Sequence, residues 1–425
     1  MKKKIDTENL EIGMYVYELD RSWVETPFLF QGFTIVNERD IQQLRDNCRY
    51  VYIIEDQRGK SINAQLSEIA DGKKTNVKQK KTKKVSSTKI NKDEPEQLLL
   101  PTRHTTYEDS QPVEDEMKHA KHARAELECS ISRIMQEIQL NNKFNLTDVK
   151  RSIGGMIESV LRNPNAFMWL TRLKNSDSYT YSHALDSSTL AIVFGRHLGL
   201  SKRELEDLAL GLMLADIGKL KISKQLLCKP GRLTDDEFNE IKKHVDYSME
   251  IARDTEGLAK RTLDIIQSHH ERHNGSGYPH GLAGGEIPVF ARIAAIVDCY
   301  DAITSDRPYN KAISQHNAVR KLYDWRNADF QEDLIEQFIQ CLGVYPTGSL
   351  VELSSGQVGI ILSQNRVRTL RPRVMLILDS EKIAYGIAPT IDLINETEDK
   401  NGKPLEIIRA IEPGAYGIDP STFYL

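Results

Sequence analysis

The sequence predicts a mainly α-helical protein with a small α+β unit at its N-terminus and a β-rich C-terminal extension. Apolar and polar residues alternate within residues 1–57, and helical spacing of apolar residues dominates residues 115–342. Residues 343–425 return to short β-like runs separated by Ser-Gly and Asp-Ser turns. A chain of 425 residues is long enough for about two to four domains, so these segments are expected to be separate parts.

The N-terminal unit is expected from three runs with a period of two. These are GMYVYEL, FLFQGFTIV and YVYIIE, and the helical pattern ERDIQQLRD lies between the last two. Strands in the three runs and one helix make a small α+β domain over residues 1–57.

Residues 58–114 are expected to be a linker, because regular periodicity is lost around KKTNVKQKKTKKVSSTK. Such lysine density also suits a patch for nucleic acid or an anionic membrane. The run contains neither aromatic residues nor arginine, however, which favours a solvated, flexible tether.

Composition indicates a water-soluble protein and argues against nucleic acid and the membrane as partners. The hydrophobic fraction is 40% and the net charge is −4, which gives no overall attraction to nucleic acid. The start, MKKKIDTENLEIGMYVYEL, has the pattern of neither a secretory signal nor a membrane anchor, and no run approaches the roughly 18 apolar residues of a membrane span. The five cysteines form no CxxC pair, which favours a reducing cytoplasm.

The sequence predicts the N-termini of two helices in the helical body. Ser201 with Glu204, and Thr234 with Glu237, have the spacing of capping boxes. A helix beginning near Thr234 would present an inward stripe bordered by His244. The residues of that stripe are Phe238, Ile241, Val245 and Met249.

Two aspartates lie in apolar helical stretches, Asp216 in LALGLMLADIGKL and Asp298 in ARIAAIVDCYDAI. A buried carboxylate must be paired or bound to metal. Taken singly, each candidate ligand fits an ordinary hydrogen-bonded or salt-bridged residue. With the helix-borne histidines the set suits a pair of iron, manganese or zinc ions, about 3.5 to 4 Å apart, which favours phosphodiester hydrolysis. Those histidines are His183, His244, His269 and His270.

The segment from Asp177 to Pro308 resembles the HD-GYP proteins, a subgroup of the HD-domain metal-dependent phosphohydrolases that cleave cyclic di-GMP. The resemblance lies in SYTYSH, ADIGKL, LLCKPGRLTDDEF, KKH, HHERHNGSGYPHGL, GGEIP and ARIAAIVDCYDAITSDRPY. It implies an HD-domain helical bundle over residues 115–342. The N-terminal unit also resembles a small domain often found ahead of HD-GYP domains in bacterial proteins.

The resemblance implies a role for each matching residue. Asp216 is expected to bridge two divalent transition metals, iron or manganese with zinc as an alternative, and Lys219 to meet a phosphate. The implied metal ligands are His183, Asp216, His244, His269, His270 and Asp298. Gly277, Tyr278 and Pro279 are expected to shape the pocket beside cyclic di-GMP. Asp301, Thr304, Ser305, Arg307 and Tyr309 match residues near the substrate, although a structural role fits these five equally well.

The implied partners are cyclic di-GMP, GGDEF-domain or other signalling proteins, and a second copy of the chain as a homodimer. The implied reaction is hydrolysis of cyclic di-GMP to pGpG, with GMP as a further product.

The sequence departs from the family at its name-giving doublet, which here reads Ala215-Asp216. One histidine ligand is therefore missing, and we expect one intact and one weakened metal site. Three hypotheses follow: a phosphodiesterase of reduced or metal-selective activity, a degenerate receptor for the dinucleotide or for a protein, and a phosphohydrolase for another nucleotide.

Overall fold

The structure, a computed structural model, describes residues 2–12, 14–20, 33–35, 38–54, 105–141, 144–171, 179–229, 231–305, 312–365, 368, 370–412 and 414–418. The chain divides into two compact units, Met1–Glu96 and Gln97–Leu425.

The first unit contains the strands β1 (Lys2–Asp6), β2 (Tyr15–Leu19), β3 (Phe33–Thr34) and β4 (Tyr50–Ile54) and the helix α1 (Glu38–Asn47). The strands form an antiparallel sheet in the order β1-β4-β2-β3. Val16, Leu44 and Val51 are buried in it. Strand β1 was missed in the sequence because KKKID has no apolar alternation; it is paired along β4 instead. Residues 28–32 and Val36 of the FLFQGFTIV run lie outside the described residues.

The second unit begins with a helical body. Residues 58–104 of the predicted linker lie outside the described residues, and the first helix starts at Val113. The helices are α2 (Val113–Asn141), α3 (Leu146–Arg162), α4 (Pro164–Leu170), α5 (Tyr179–His197), α6 (Lys202–Ala215), α7 (Lys224–Leu227), α8 (Asp235–Lys242), α9 (His244–Arg253), α10 (Lys260–Ser268), α11 (Val289–Thr304), α12 (Gln315–Asp324) and α13 (Glu332–Leu342).

Four helices form a closed ring in the middle of this body. Helix α5 packs on α6, α6 on α10, α10 on α11, and α11 back on α5. Their inward residues are large and apolar, and Phe194, Leu208, Ile265 and Ile296 are each 0% exposed. Burial on this scale holds the helix ends, and the polar residues on them, at fixed separations.

Both predicted capping boxes are present, at Ser201 before α6 and at Thr234 before α8. The single helix expected after Thr234 is wrong, because it breaks into α8 and α9 at Lys243. The His244 ring reaches back to the carbonyl oxygen of Ile241, which stabilises the end of α8. The inward stripe is also wrong at its first member, since Phe238 is 43% exposed.

The β-rich extension belongs to the same unit as the helices. Its five-stranded antiparallel sheet has a core that includes Val351, Ile361 and Val374, and the last strand along the chain lies at one edge, paired with the first. Thr347 bonds to Asn165 at the start of α4, which attaches the extension to the helical body. The strands are β5 (Leu350–Leu353), β6 (Val358–Ser363), β7 (Arg373–Leu378), β8 (Thr390–Asp392) and β9 (Ile407–Ile411).

None of the described helices combines the length and the apolar character that crossing a bilayer requires.

Candidate metal centre

Helix ends deliver most of the predicted ligands to one place. Asp216 directly follows α6, His244 is the first residue of α9, and His269 and His270 directly follow α10. Inside longer helices, α5 contributes His183 and α11 contributes Asp298. The four ring helices and the residues directly after them supply five of the six side chains, α9 supplies His244, and all six lie in one cluster.

The six residues form two groups that share Asp216. The four-ligand group is Asp216, His244, His269 and His270, and the three-ligand group is His183, Asp216 and Asp298. Within each group, the candidate ligand atoms lie within 4.8 Å of one another.

The two carboxylate oxygens of Asp216 face different groups. Oδ1 lies 3.3 Å from His244 Nε2 and 4.0 Å from His269 Nε2, whereas Oδ2 lies 3.5 Å from His183 Nε2. A carboxylate placed this way can bind one cation with each oxygen. This is the arrangement expected of a bridging ligand.

Backbone carbonyls fix the orientation of two imidazoles in the four-ligand group. His244 Nδ1 lies 2.7 Å from the Ile241 oxygen, and His269 Nδ1 lies 3.0 Å from the Ile266 oxygen. A carbonyl oxygen can only accept, so each Nδ1 carries the proton and donates it. Each Nε2 then presents a lone pair to the interior, as in metal-binding histidines with a carbonyl partner.

Burial keeps these imidazoles neutral. It lowers the pKa of His244 to about 4, and it also lowers the pKa of His269. The pKa of His270 falls well below its usual range, because burial is joined by the nearby His269. Burial opposes ionisation of Asp216, but the positive charges of Lys219 and of protonated His183 outweigh it and hold the pKa of Asp216 well below its usual range. The group thus has one negative charge and three neutral nitrogen donors.

Two polar atoms show that a divalent cation fits this group. Among the described residues, Asp216 Oδ1 and His269 Nε2 are buried side-chain atoms without a hydrogen-bond partner. Leaving such atoms unsatisfied is costly, and a cation between them would satisfy both. Imidazole nitrogen with carboxylate oxygen is a donor set suited to first-row transition metals.

The three-ligand group is arranged differently, because His183 lies between two carboxylates. Its Nε2 is 2.9 Å from Asp298 Oδ1 and its Nδ1 is 2.6 Å from Asp301 Oδ2. Burial opposes a charged His183, but these hydrogen bonds outweigh it and raise its pKa to about 10. Asp301 therefore orients the ring as a carboxylate behind a metal-binding histidine does. The methyl group of Ala215 adds no donor here.

A tight turn sets Asp216 against His244. Residues Ile217–Lys221 form a 3₁₀ helix, and a side chain at Gly218 would collide with the His244 carbonyl oxygen. Ser248 accepts from the Gly218 N–H at 2.8 Å and donates to the Ala215 carbonyl at 2.7 Å. Sequence reasoning missed Ser248; its only signal was a small polar residue one helical turn after His244.

Lys219 follows on the same turn. Its Nζ donates to Asp216 Oδ2 at 2.6 Å. This places a positive charge beside the three-ligand group, and its contact with a phosphate stays a prediction.

The loop after the paired histidines closes over His270. The Tyr278 ring stacks on the His270 ring with centroids 4.6 Å apart and an interplanar angle of 30°. Gly277 lies so close to the Glu271 backbone that a side chain there would collide with it. Gly275 has φ +80°, and the Tyr278–Pro279 peptide is cis.

Glu271 holds this loop and was missed in the sequence. It is 1% exposed, and its two oxygens accept the backbone N–H groups of His280 at 2.8 Å and Leu282 at 3.0 Å. The signal was an acid directly after the histidine pair, where it could not remain buried without partners.

The remaining predicted substrate residues contact their own helix. The Thr304 hydroxyl donates to the Tyr300 carbonyl, and Ser305 Oγ lies 3.4 Å from Asp301 Oδ1. Arg307 and Tyr309 lie outside the described residues. Substrate contact by these residues stays a prediction.

Comparison with known proteins gives two family matches. A family described as an HD domain matches residues 165–332, and a domain of unknown function, DUF3391, matches residues 2–149. The second match runs through the predicted linker into α3, so the boundaries at residues 57 and 114 stay predictions.

Named relatives extend the comparison to nearly the whole chain. The "Cyclic di-GMP phosphodiesterase PA4108" of Pseudomonas aeruginosa is 31% identical over 375 residues, which cover 88% of this chain and 84% of that protein. The "Cyclic di-GMP phosphodiesterase response regulator RpfG" of Xanthomonas campestris is 32% identical over 51% of this chain and 58% of its own length. The "3'3'-cGAMP-specific phosphodiesterase 2" of Vibrio cholerae is 31% identical over 40% of this chain and 32% of its own length.

Proposed function

The chain belongs to the HD-GYP family of HD-domain phosphohydrolases, and from that membership we propose that its His/Asp centre hydrolyses cyclic di-GMP to pGpG. The names of the relatives support the reaction and the substrate class. The third relative is named for a related cyclic dinucleotide, 3'3'-cGAMP, so the choice between the two is part of the proposal. Further cleavage of pGpG to GMP would use the same bond chemistry.

One observation carries the proposal: Asp216 presents one oxygen to each of the two ligand groups. A single cation would need only one of them. A carboxylate shared between two groups of nitrogen and oxygen donors suits two divalent ions, for which we propose iron or manganese with zinc as the alternative. Two such ions, when bound, supply positive charge to both the attacking and the leaving oxygen of a phosphodiester.

The chain itself prepares the site in three ways. Asp301 and the Ile241 and Ile266 carbonyls hold the imidazoles in fixed orientations, so little reorganisation is needed when ligands bind. Lys219 adds a cationic side chain that can leave Asp216 for a phosphate oxygen. Tyr278 places an aromatic ring beside the centre.

Because Ala215 cannot bind a metal, the three-ligand group is expected to be the weaker of the two metal sites. The three-ligand group has one residue fewer than the four-ligand group, so we propose that it binds its metal less tightly. Nothing in the described residues favours the alternative of a receptor without turnover. The homodimer, the GGDEF-domain partners and the cytoplasmic location stay predictions.

Product identification tests the function. The full chain, purified without oxygen and supplied with manganese or iron, is incubated with cyclic di-GMP and the products are separated by chromatography. We expect pGpG with either metal and none in the presence of a chelator. An equimolar mixture with 3'3'-cGAMP gives the preference between the two dinucleotides. Tight binding of cyclic di-GMP without any product would favour the receptor, and neither binding nor product would contradict both.

A further inference from the structure

An exposed aromatic side chain lies outside the metal centre on the short helix α8. Phe238 is 43% exposed, and Lys242 follows it four residues later on the same helix face. The start of this helix is held firmly by the Thr234 capping box and by two contacts of Lys229 Nζ with Glu237, at 2.6 and 2.7 Å. Phe238 is therefore presented to solvent by an anchored element.

Phe238 continues a row of rings that starts at a candidate metal ligand. Tyr278 stacks on His270, and the Phe238 ring meets the Tyr278 ring at 84° with centroids 6.1 Å apart. Lys242 Nζ lies 4.6 Å from the Phe238 centroid and 5.6 Å from the Tyr278 centroid. Two perpendicular rings and one ammonium group thus form a corner beside the centre.

The break between α8 and α9 explains how this corner arises. If the helix continued through Lys243, Phe238 and His244 would belong to one straight element. The break turns His244, which is 1% exposed, toward the other candidate ligands, whereas Phe238 on α8 is 43% exposed.

Packing alone accounts poorly for the corner. A phenylalanine that served only to support Tyr278 would gain by burying more of its surface, since apolar burial stabilises in proportion to area. The Lys242 ammonium donates to Asn239 Oδ1 at 3.2 Å in an exposed contact, so its charge stays accessible beside the rings. An accessible ring with an adjacent cation is instead the combination that binds a nucleobase and a phosphate in single-stranded nucleic-acid sites.

We propose that Phe238 and Lys242 form a base-binding subsite for the cyclic dinucleotide, an inference that rests on the proposed function. One guanine base packs against the Phe238 ring in the corner with Tyr278, while Lys242 moves from the rings to an anionic phosphate oxygen of the same ligand. The subsite contributes to substrate binding and not to bond cleavage.

The test compares Phe238→Leu and Lys242→Gln with the control Lys243→Gln. Lys243 is a neighbouring lysine paired with Glu240 at 2.6 Å on the exposed surface, so the control removes the same charge from the same segment. For each metal-loaded variant, KM and kcat for cyclic di-GMP are measured together with metal content. Inhibition by GMP is compared with inhibition by ribose 5-phosphate, which carries the phosphate without the base.

We expect Phe238→Leu to raise KM about 5- to 100-fold, the range for losing one base–aromatic stack, with kcat within about twofold. GMP inhibition should weaken and ribose 5-phosphate inhibition should not. Lys242→Gln should raise KM and weaken both inhibitors, because it removes a charge that binds phosphate. Lys243→Gln should match the wild type.

If the wild type turns over cyclic di-GMP and Phe238→Leu leaves KM unchanged, the subsite is wrong. The proposed function would not be affected by that result. If Phe238→Leu weakened inhibition by GMP and by ribose 5-phosphate equally, or if the variant lost metal, the subsite would also be overturned. The Phe238 ring would then only support the metal centre. If the wild type shows no turnover, the proposed function fails. The dissociation constant of cyclic di-GMP, measured by calorimetry for the wild type and the same variants, then replaces KM as the test of the subsite.

Discussion

The Nε2 atoms of His244 and His270 lie 3.2 Å apart in the four-ligand group. His244 carries its proton on Nδ1, so its Nε2 is a lone pair directed at His270. Burial lowers the pKa of both rings, which disfavours an additional shared proton. Without metal, a neutral His270 can donate its Nε2–H to this lone pair; a divalent cation held by the two rings would replace that hydrogen bond and would also satisfy the unpaired oxygen of Asp216.

The charge of Asp216 holds the centre together. Asp216→Asn removes that charge from both ligand groups, so we expect metal content to fall and phosphodiesterase activity to drop roughly 100-fold or more. Elemental analysis and product formation should be measured on the same samples. Asp246→Asn, the same exchange at an exposed position of α9, should leave both unchanged. Wild-type activity in Asp216→Asn would show that catalysis occurs elsewhere.

Ala215→His should strengthen the three-ligand group. An imidazole beside Asp216 adds a donor, and we expect more metal per chain and roughly tenfold or more activity. Ala215 is 3% exposed, so the added bulk carries a cost of about 1 to 3 kcal/mol in stability, to be followed by thermal unfolding. Ala215→Gln adds comparable bulk without an imidazole and should give no gain. No gain from histidine in a folded variant would show that the position does not face the metal.

Gly277→Ala should displace the loop that carries Tyr278. Its methyl group would collide with the backbone of Glu271, and the loop cannot retreat without losing the hydrogen bonds that Glu271 accepts. We expect KM for cyclic di-GMP to rise at least about tenfold, because a small displacement of a positioned group has a large effect on the reaction. Gly386→Ala, where an added methyl meets nothing, is the control. Unchanged kinetics would mean that the loop does not shape the pocket.

Glu336 gives the protein a pH-dependent stability that is unrelated to the metals. Burial, with the nearby Glu332 and Asp333, raises its pKa to about 7 from an ordinary value of 4.5. Because the folded state then binds the proton more tightly than the unfolded state, the ionised carboxylate destabilises the fold above about pH 7. This cost shrinks as the pH falls and is absent below the unfolded pKa.

Glu336→Gln should therefore raise the free energy of unfolding by about 1 to 3 kcal/mol at about pH 8.5 and by almost nothing at about pH 4.5. Urea unfolding at the two pH values measures the difference. Glu256→Gln, on an exposed segment, should have no comparable effect. An equal gain at both pH values would show that titration of Glu336 is not the cause.

The sequence predicted the fold class and six candidate metal ligands, which the structure brings together, because a carboxylate in an apolar helix and paired histidines conflict with simple burial. It could not show which oxygen of Asp216 faces which group, since that depends on how the ends of α6, α9 and α10 meet α5 and α11. Local patterns also misplaced Phe238, because the hydrogen bond that ends α8 comes from the His244 side chain. Strand β1 was not predicted because its sequence lacks alternating apolar residues. It forms a strand because it pairs along β4.

Stepwise metal loading tests whether Asp216 joins two metal sites that must both be filled for hydrolysis. The metal-free chain is titrated with manganese or iron without oxygen, and metal per chain and the rate of pGpG formation are measured on each sample. If Asp216 is shared by two metal sites, we expect no hydrolysis without metal and a low rate of pGpG formation when only the tighter site is filled. The rate should rise as the second metal binds to the three-ligand group. Full hydrolysis by the metal-free chain, or two bound metals and bound cyclic di-GMP without product, would contradict this expectation.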